Sequence, residues 1–325
     1  MEFSVVPFTG DSPMKPWPPL AAKAFCLKGS GKDRLFFYDA APPGDAKQPD
    51  NAAPPGDKQR VFVLIHGLGD EADSWRHIIP LLSDRGYRVL ALDLPGFGRS
   101  TASRRVNIKK HAEAVIKLLE IVLGAPSPLL QVFLVGSSMG SMIAELVAIQ
   151  KPRLVNGLIL IDGSIPGGPP NPGLIGIVKL LFNKKWYRAY RKHPGAAWIS
   201  LYPYYADLDA MPGEDKAFLL QRVKDRVLSL SQEQAFFSTQ RSLIFNYAGV
   251  SWYTRGIRKF EGEILLVWGE LDKIVPVSST VPFRALRPDA ELVTIPGAGH
   301  LPQQENPEET ARIIAKFAMG LVDRN

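Results

Sequence analysis

Residues 132–148 read VFLVGSSMGSMIAELVA: an apolar run, a Gly-x-Ser-x-Gly turn and a second apolar run. A buried strand that passes through such a turn into a helix is the pattern of a nucleophile elbow. Gly136 and Gly140 would let neighbouring backbone approach the turn, which directs the side chain of Ser138 outward. The helix that starts there would point its N-terminal N–H groups at a developing oxyanion. The motif therefore predicts that Ser138 is a nucleophile.

Short apolar runs and helical patterns alternate on both sides of this motif. The predicted strands are 34–39, 61–65, 89–92, 132–135, 158–161, 264–268 and 292–295. The predicted helices include 108–123, 141–150 and 307–322. Most of these strands are continuously apolar, which is typical of strands buried on both faces of a parallel sheet. The alternation predicts a doubly wound, mostly parallel α/β fold.

The alternation stops after Asp162. Residues 164–250 are rich in aromatic side chains and have helical patterns without a buried strand. We expect this segment to be a helical cap over the carboxyl ends of the strands, where open α/β sheets bind their ligands. Residues 1–163 and 251–325 would then form the core. Within the core, AAPPGD occurs at 40–45 and at 52–57, which predicts a mobile Pro/Gly-rich loop over 40–58.

The composition excludes several classes of protein. With 46% apolar residues among 325, the chain is too apolar to be disordered, and it has no apolar run of about 18 residues that would span a membrane. A single cysteine, Cys26, and an N-terminus without signal-peptide features predict a cytoplasmic protein. Of the net charge of +7, most lies in 164–250, which has 11 basic and 6 acidic residues. We therefore expect no nucleic-acid partner, because the rest of the chain lacks a basic arm.

A serine nucleophile needs a base, and the base needs an acid. Among the five histidines, His300 follows the predicted strand 292–295 in a loop fixed by glycines and a proline, so its imidazole could reach over the sheet edge. Asp272 follows the predicted strand 264–268 and completes the chain order Ser, Asp, His. Glu270 and Asp162 are competing candidates for the acid.

An oxyanion would need two backbone N–H donors. Met139, the residue after the nucleophile, would supply one of them. Leu68 would supply the other, because glycines on both sides free this loop to turn its amides inward. His66 and Gly67 are predicted to support the loop.

Together, these motifs resemble those of the α/β-hydrolase superfamily, over about 34–163 and 251–325. The family inserts its lid between strands 6 and 7, the place that 164–250 would take here. The matching motifs are His-Gly at 66–69, Asp-x-Pro-Gly-x-Gly-x-Ser at 93–100, the elbow at 136–140, an acid at Asp272 and Gly-His-x-Pro-x-x-Glu at 299–305. The resemblance implies that Ser138 is the nucleophile, Asp272 the acid and His300 the base.

Three positions bear on the choice of sub-family. Epoxide hydrolases and haloalkane dehalogenases have an aspartate at the elbow, so Ser138 argues against both. Ser137 departs from the histidine or asparagine that esterases and C–C hydrolases often have before the nucleophile. Leu301 stands where related enzymes often have a tryptophan. These positions leave the sub-family open.

The leading hypothesis is a serine hydrolase, without metal or cofactor, that cleaves a small-molecule carboxylic ester with an apolar acyl group. Hydrolysis of a C–C bond, a lactone or an amide by the same triad is the alternative, followed by a ligand-binding receptor with little turnover. The candidate pocket residues in the cap are Trp186, Tyr190, Trp198 and Tyr202, although aromatic packing of the cap explains them as well. A basic helix predicted over 174–192 could contact an anionic membrane surface or form a solvated face. No oligomeric state is predicted.

Overall fold

A nine-stranded sheet forms the centre of the computed structural model, which describes residues 3–10, 12–28, 33–42, 59–102, 105–163, 184–245 and 250–320. The strands are β1 (Ser4–Pro7), β2 (Ala24–Lys28), β3 (Arg34–Ala40), β4 (Gln59–Ile65), β5 (Arg88–Leu92), β6 (Leu130–Ser137), β7 (Gly157–Ile161), β8 (Glu263–Gly269) and β9 (Glu291–Ile295). Their order across the sheet is β1-β2-β3-β5-β4-β6-β7-β8-β9. From β5 to β9 all neighbours are parallel, whereas β1, β2 and β3 are antiparallel and β3 also pairs antiparallel with β5. The mostly parallel α/β fold predicted from the sequence is confirmed.

Helices cover both faces of this sheet. The α-helices of the described residues are α1 (Ile78–Ser83), α2 (Ile108–Val122), α3 (Met139–Gln150), α4 (Lys184–Lys192), α5 (Gly213–Leu228), α6 (Leu230–Phe245), α7 (Val250–Lys259), α8 (Thr280–Leu286), α9 (Pro302–Glu305) and α10 (Pro307–Gly320). One hydrophobic core includes residues of α2, α3 and α7, and the other includes residues of α1 and α10. In β4, Val61 and Val63 belong to the first core, whereas Phe62 and Leu64 belong to the second. Both faces are covered, which explains why the central strands are continuously apolar.

Strands β1 and β2 were not predicted from the sequence. β1 lies at the sheet edge, pairs with β2 alone, and has mostly exposed side chains. Such an edge strand needs no regular apolar pattern, and the surrounding prolines obscured the pattern of β2. The family numbering counts six strands before the insertion, whereas seven described strands precede it in this chain. The insertion therefore lies between β7 and β8.

The described part of the segment between β7 and β8 is helical. It consists of α4, a 3₁₀ helix (Pro194–Tyr204), α5 and α6, and we call residues 184–245 the inserted segment. By contrast, α7 packs on α3, where a Cβ at Gly256 would lie 2.6 Å from Ile149. The boundaries 164 and 250 of the cap stay a prediction. Residues 43–58 of the predicted loop and 164–183 of the predicted cap lie outside the described residues.

Ion pairs between buried and half-buried side chains attach the inserted segment to the core. Arg226 of α5 contacts Asp70 at 2.5 Å and Glu71 at 2.7 Å, in the loop after β4. Arg222, one turn earlier, contacts Asp73 at 3.0 Å. Partners removed from water in this way fix α5 above that loop more firmly than exposed pairs would. Among the described residues, no helix is both long and apolar enough to cross a membrane.

A carboxyl group lies within the core behind the nucleophile turn. Glu145 of α3 is fully buried, and neither of its carboxylate oxygens has a hydrogen-bond partner among the described residues. Burial raises the pKa of Glu145 well above its ordinary value, because the charged form would lose its hydration. Burial therefore favours the protonated form of this side chain in the folded protein.

This burial predicts how stability changes with pH. The pKa of Glu145 is higher in the folded chain than in the unfolded chain, so unfolding releases a proton and rising pH favours unfolding. Glu145→Gln has no proton to release. The free energy of unfolding of both proteins is measured by urea denaturation. The difference between Glu145→Gln and the wild type should change in favour of the variant by up to about 1.4 kcal/mol per pH unit above about pH 5. Parallel curves for variant and wild type would contradict the protonated state; Glu113→Gln, at an exposed site on α2, is the control.

Candidate active site

The turn between β6 and α3 holds Ser138 in a conformation that few residues adopt. Its φ angle is 54° and its ψ angle −116°, and its backbone N–H donates to the Ile161 carbonyl oxygen of β7 at 2.8 Å. A Cβ at Gly136 would collide with the backbone of Gly140, and a Cβ at Gly140 would collide with the carbonyl oxygen of Ile65. Both glycines are therefore required by close contacts between backbones, as the motif predicted.

Two loops at the carboxyl ends of β8 and β9 bring Asp272 and His300 to Ser138. The Oγ atom of Ser138 lies 3.0 Å from Nε2 of His300, and Nδ1 of His300 lies 2.7 Å from Oδ2 of Asp272. His300 and Asp272 are both buried. The structure thus brings together three side chains that are 134 and 28 residues apart in the sequence.

The carboxylate of Asp272 is held from its other side. Its Oδ1 atom accepts the backbone N–H groups of Ile274 at 2.7 Å and of Val275 at 2.9 Å, which fixes Oδ2 towards His300. Glu270, a competing candidate for the acid, is exposed and accepts a backbone N–H from Gly297 at 3.3 Å. The loop after β8 therefore directs Asp272 to the imidazole and Glu270 away from it.

The loop after β4 lies beside the nucleophile. A Cβ at Gly67 would come within 3.3 Å of the Cβ of Ser138, and Leu68 lines the cavity above the serine. Met139 is the first residue of α3, where backbone N–H groups have no acceptor within the helix. The two amides predicted to bind an oxyanion thus belong to residues on either side of Ser138.

His66 supports this loop from below. Its Nε2 atom accepts the backbone N–H of Leu94 at 2.9 Å, and its Nδ1–H faces the carbonyl oxygen of Gly67 at 2.8 Å. Burial lowers the pKa of His66 from its ordinary value, which keeps the ring neutral with the proton on Nδ1. Of the remaining histidines, His77 and His193 lie at the surface of the protein, and His111 is buried in the core.

The inserted segment touches the histidine loop directly. The backbone N–H of His300 donates to the carbonyl oxygen of Tyr204 at 2.8 Å, and the rings of these two residues lie 5.7 Å apart. Glu305 accepts the N–H of Gly299 at 2.8 Å through one oxygen and that of Ala206 at 2.6 Å through the other. Sequence reasoning included Glu305 in a family motif but gave it no role, and it gave no role to Tyr204 towards the base.

A cavity of about 140 Å³ opens above Ser138 between the core and the inserted segment. Aromatic and aliphatic side chains dominate its wall: Phe97, Tyr187, Tyr190, Leu201, Tyr204, Val223, Val227, Phe236 and Leu301. Of the four pocket residues predicted from the sequence, Tyr190 lines this cavity. Trp186 and Tyr202 are largely exposed, and Trp198 packs in a separate cluster with Tyr205 and Leu208. Composition indicated an aromatic roof, but the direction of each ring depends on helix phase and on packing.

Two charged side chains, Asp70 and Arg226, also reach the cavity. They are paired with each other, and Arg226 is paired with Glu71 as well. Burial raises the pKa of Asp70 to about 6, although the charge of Arg226 acts in the opposite direction. For Glu71 burial is the largest single effect, but the charge and hydrogen bonds of Arg226 together with the charge of Arg222 outweigh it, and the pKa of Glu71 is lowered. The guanidinium charge at the cavity wall is therefore neutralised even where Asp70 is protonated.

Asp162, the second competitor for the acid, lies next to the triad. Its φ angle is 43°, and its Oδ1 atom accepts the backbone N–H of Gly269 at 2.9 Å, whereas Oδ2 is buried without a partner among the described residues. Burial, and then the charge of Asp272, raise the pKa of Asp162 well above its ordinary value. The raised pKa disfavours the carboxylate form that would pair with an imidazolium, and it is Asp272 that faces Nδ1 of His300.

Asp162, Asp272 and His300 each offer a ligand atom, and these atoms lie within 4.8 Å of one another. Three such groups could in principle surround a cation. However, Nδ1 of His300 and Oδ2 of Asp272 face each other at hydrogen-bond distance, and Oδ1 of Asp162 already accepts a backbone N–H. We therefore interpret the cluster as a hydrogen-bonded array and not as a metal site.

A model of the alpha/beta hydrolase fold family matches residues 60–307. The chain belongs to this family. The uncharacterized hydrolase YugF of Bacillus subtilis (strain 168) is 30% identical to this hydrolase over 261 residues, which cover 80% of this chain and 90% of YugF. A pimeloyl-[acyl-carrier protein] methyl ester esterase of Yersinia enterocolitica is 26% identical over 259 residues, covering 79% of this chain and 92% of the esterase.

A 2-hydroxy-6-oxo-6-(2'-aminophenyl)hexa-2,4-dienoic acid hydrolase of Metapseudomonas resinovorans is 28% identical over 276 residues, which cover 80% of this hydrolase and 84% of that protein. A putative lipase of Acinetobacter baumannii AYE has the same fold, with a TM-score of 0.71 and 20% identity over 93% of this chain and 92% of the lipase. The relatives therefore include hydrolases with different substrates, and the protein is an α/β-fold hydrolase of small molecules.

The contacts of Asp162 predict different outcomes for two substitutions. Asparagine keeps an acceptor for the Gly269 N–H and tolerates a positive φ angle, so Asp162→Asn should change the free energy of unfolding by less than about 1 kcal/mol at pH 7. Asp162→Ala leaves that N–H buried without an acceptor and should cost about 1–3 kcal/mol. Urea denaturation measures both values. Equal destabilisation by the two substitutions would show that the hydrogen bond to Gly269 is not what Asp162 contributes.

Proposed function

We propose that this hydrolase is a serine carboxylesterase for esters with an uncharged, apolar acyl group. The observation that supports it is the chain of contacts from Ser138 through His300 to Asp272, at 3.0 and 2.7 Å. When Nδ1–H of His300 donates to Asp272, Nε2 keeps a lone pair that can accept the hydroxyl proton of Ser138. The serine is then a nucleophile and the imidazole a general base.

The proposed reaction has two halves. In the first, Oγ of Ser138 attacks the acyl carbon while its proton passes to Nε2 of His300, and the carbonyl electron pair moves to an oxyanion facing the N–H groups of Leu68 and Met139. The oxyanion then collapses, the ester C–O bond breaks, and the leaving alkoxide takes the proton from His300. In the second half, water attacks the acyl-serine with the same proton transfers, and the carboxylic acid leaves.

The cavity wall supports an apolar acyl group. Its side chains are mostly aromatic or aliphatic, and the charge of Arg226 is neutralised by Glu71. A free carboxylate on the acyl part would lose its hydration there without meeting an unpaired cation among the described residues. The inserted segment would act as the cap that closes this cavity.

Hydrolysis of a C–C bond is the second candidate, and the names of several relatives favour it. The protein of Metapseudomonas resinovorans acts on a dienoic acid, and other relatives act on dienedioates. Such substrates have carboxylate groups, which the cavity of this protein does not match. Fast cleavage of a vinylogous diketone acid together with slow turnover of short p-nitrophenyl esters would favour the C–C reaction over the ester reaction.

The first test removes the nucleophile. Ser138→Ala should lower kcat/KM for a p-nitrophenyl ester by about 10⁴-fold or more. The circular dichroism spectrum and the thermal midpoint should stay unchanged, because among the described residues the hydroxyl is hydrogen-bonded to His300 alone. A fluorophosphonate probe should label the wild type and not this variant. Ser137→Ala is the matched control, since its hydroxyl contacts Gln303 and not His300, and it should still be labelled. Labelled Ser138→Ala protein would refute the proposal.

The second test measures the acyl pocket. In a series of p-nitrophenyl esters, kcat/KM should rise by about 4-fold for each methylene until the cavity is filled, because each buried CH₂ contributes about 0.8 kcal/mol. Val227→Trp should move the optimum to a shorter chain, since Val227 lines the cavity. Val281→Trp, at a site that is 64% exposed, is the control and should leave the optimum unchanged. An unchanged optimum in Val227→Trp would place the acyl group elsewhere.

A further inference from the structure

Helix α4 separates the cavity from the outside of the protein. Tyr187 and Tyr190 on one face of the helix line the cavity, and the hydroxyl of Tyr187 donates to the carbonyl oxygen of Arg226 at 2.8 Å. The opposite face is exposed, and its basic side chains are Lys184, Lys185, Arg188 and Lys192. We call these four residues the basic face. A single helix, about 10 Å thick, therefore stands between the basic face and the acyl pocket.

The stretch of sequence that contains the basic face carries charge of one sign. Residues 184–206 include no aspartate or glutamate, and Arg191, on the inner side of α4, is paired with Glu233 of α6 at 2.5 Å. The next acidic residues are Asp207 and Asp209, and Asp209 accepts the hydroxyl of Tyr202 at 3.1 Å. The basic face thus presents a local positive surface on a protein whose remaining charge is nearly balanced.

Large apolar side chains are exposed on the same inserted segment. Trp186 of α4 is 55% exposed, and Leu228 and Leu230, at the junction of α5 and α6, are 53% and 63% exposed. The junction lies close to α4, because Arg191 donates to the carbonyl oxygen of Val227 at 3.1 Å. Basic residues beside an exposed tryptophan and leucines are the combination that binds membrane interfaces, where lysine and arginine meet lipid phosphates and apolar side chains enter the boundary region.

We propose that the basic face and its neighbouring apolar side chains dock this hydrolase on an anionic lipid bilayer. The role of this docking rests on the proposed ester hydrolysis. In the docked protein, an apolar ester could pass from the membrane into the cavity, and the apolar acid product could return to the membrane. Charge complementarity favours an anionic bilayer over a neutral one. An acidic protein would also pair with the basic residues. Charge pairing alone, however, would give the exposed tryptophan and leucines no apolar environment, which the boundary region of a bilayer supplies.

The experiment measures binding to vesicles without turnover. Full-length Ser138→Ala protein is mixed with phosphatidylcholine vesicles, with or without about 30% phosphatidylserine, and the bound fraction is determined by flotation. Binding should require phosphatidylserine and should weaken strongly between about 50 mM and about 500 mM salt, because the screening length shrinks. Equal binding to both kinds of vesicle, or no binding to either, would overturn the proposal.

Variants locate the surface. A basic residue near an anionic membrane contributes about 5-fold to partitioning, so Arg188→Glu/Lys192→Glu should weaken binding by about 25-fold or more. Trp186→Ala should weaken it by a further factor that persists at high salt. Lys109→Glu/Lys316→Glu makes the same charge change at exposed sites on α2 and α10 and should bind like the parent. An equal loss of vesicle binding in this control would show that binding depends on the net charge of the protein and not on its distribution, which would overturn the assignment to α4.

Vesicle binding and ester hydrolysis are measured independently, so a failure of the docking proposal can be distinguished from a failure of the proposed reaction. If protein with intact Ser138 hydrolyses a water-soluble ester but does not float with anionic vesicles, the docking is wrong and the esterase proposal stands. If Ser138→Ala binds vesicles as expected but the wild type hydrolyses no ester, the docking stands and the reaction is wrong. Unchanged binding in both Arg188→Glu/Lys192→Glu and Trp186→Ala would move the surface away from α4.

Discussion

The close approach of three backbone segments at the turn after β6 is the constraint on which the site depends. Gly136 meets Gly140, and Gly140 meets the end of β4, at distances where no side chain fits. This contact holds Ser138 at a positive φ angle and seats the first turn of α3 against the loop that contains Leu68. A looser turn would let the serine relax to an ordinary conformation, in which its hydroxyl would no longer face His300. The strain of one residue is thus sustained by the packing of the central strands.

Much of this arrangement could be predicted from the sequence, because parallel strands end at one edge of the sheet. Continuous apolarity identifies β6 and β8, and the run 292–295 before the loop of His300 indicates β9 as a further strand. The residues after these strands then have to lie at one edge, and Ser138, Asp272 and His300 do. The choice between Asp272 and Asp162 was harder, since both follow central strands. It is decided by hydrogen bonds: backbone N–H groups of Ile274 and Val275 hold Asp272 so that its other oxygen faces His300, whereas Asp162 accepts the N–H of Gly269.

Other features have no local signal. β1 lies at the sheet edge with mostly exposed side chains, and β2 follows a Pro-rich stretch that obscures its apolar pattern. The orientation of the aromatic rings in the inserted segment depends on which face of each helix meets the core, and Trp186 faces out although it neighbours Tyr187, which faces in. The buried arginines of α5 find their carboxylates more than 140 residues away, a pairing that no spacing rule reveals. Such contacts follow from tertiary packing, and they determine the polarity of the cavity.

The hydrogen bonds between the inserted segment and the histidine loop have a kinetic consequence. Tyr204 accepts the backbone N–H of His300, and Ala206 shares the carboxylate of Glu305 with Gly299. Lifting these residues to exchange ligands would therefore also loosen the backbone that orients His300. In the proposed reaction, substrate entry and chemistry would then belong to alternate phases of one cycle. With the pocket open to bulk water, the hydroxyl of Ser138 would lack an oriented base, and it would regain that base once the inserted segment covers the pocket again.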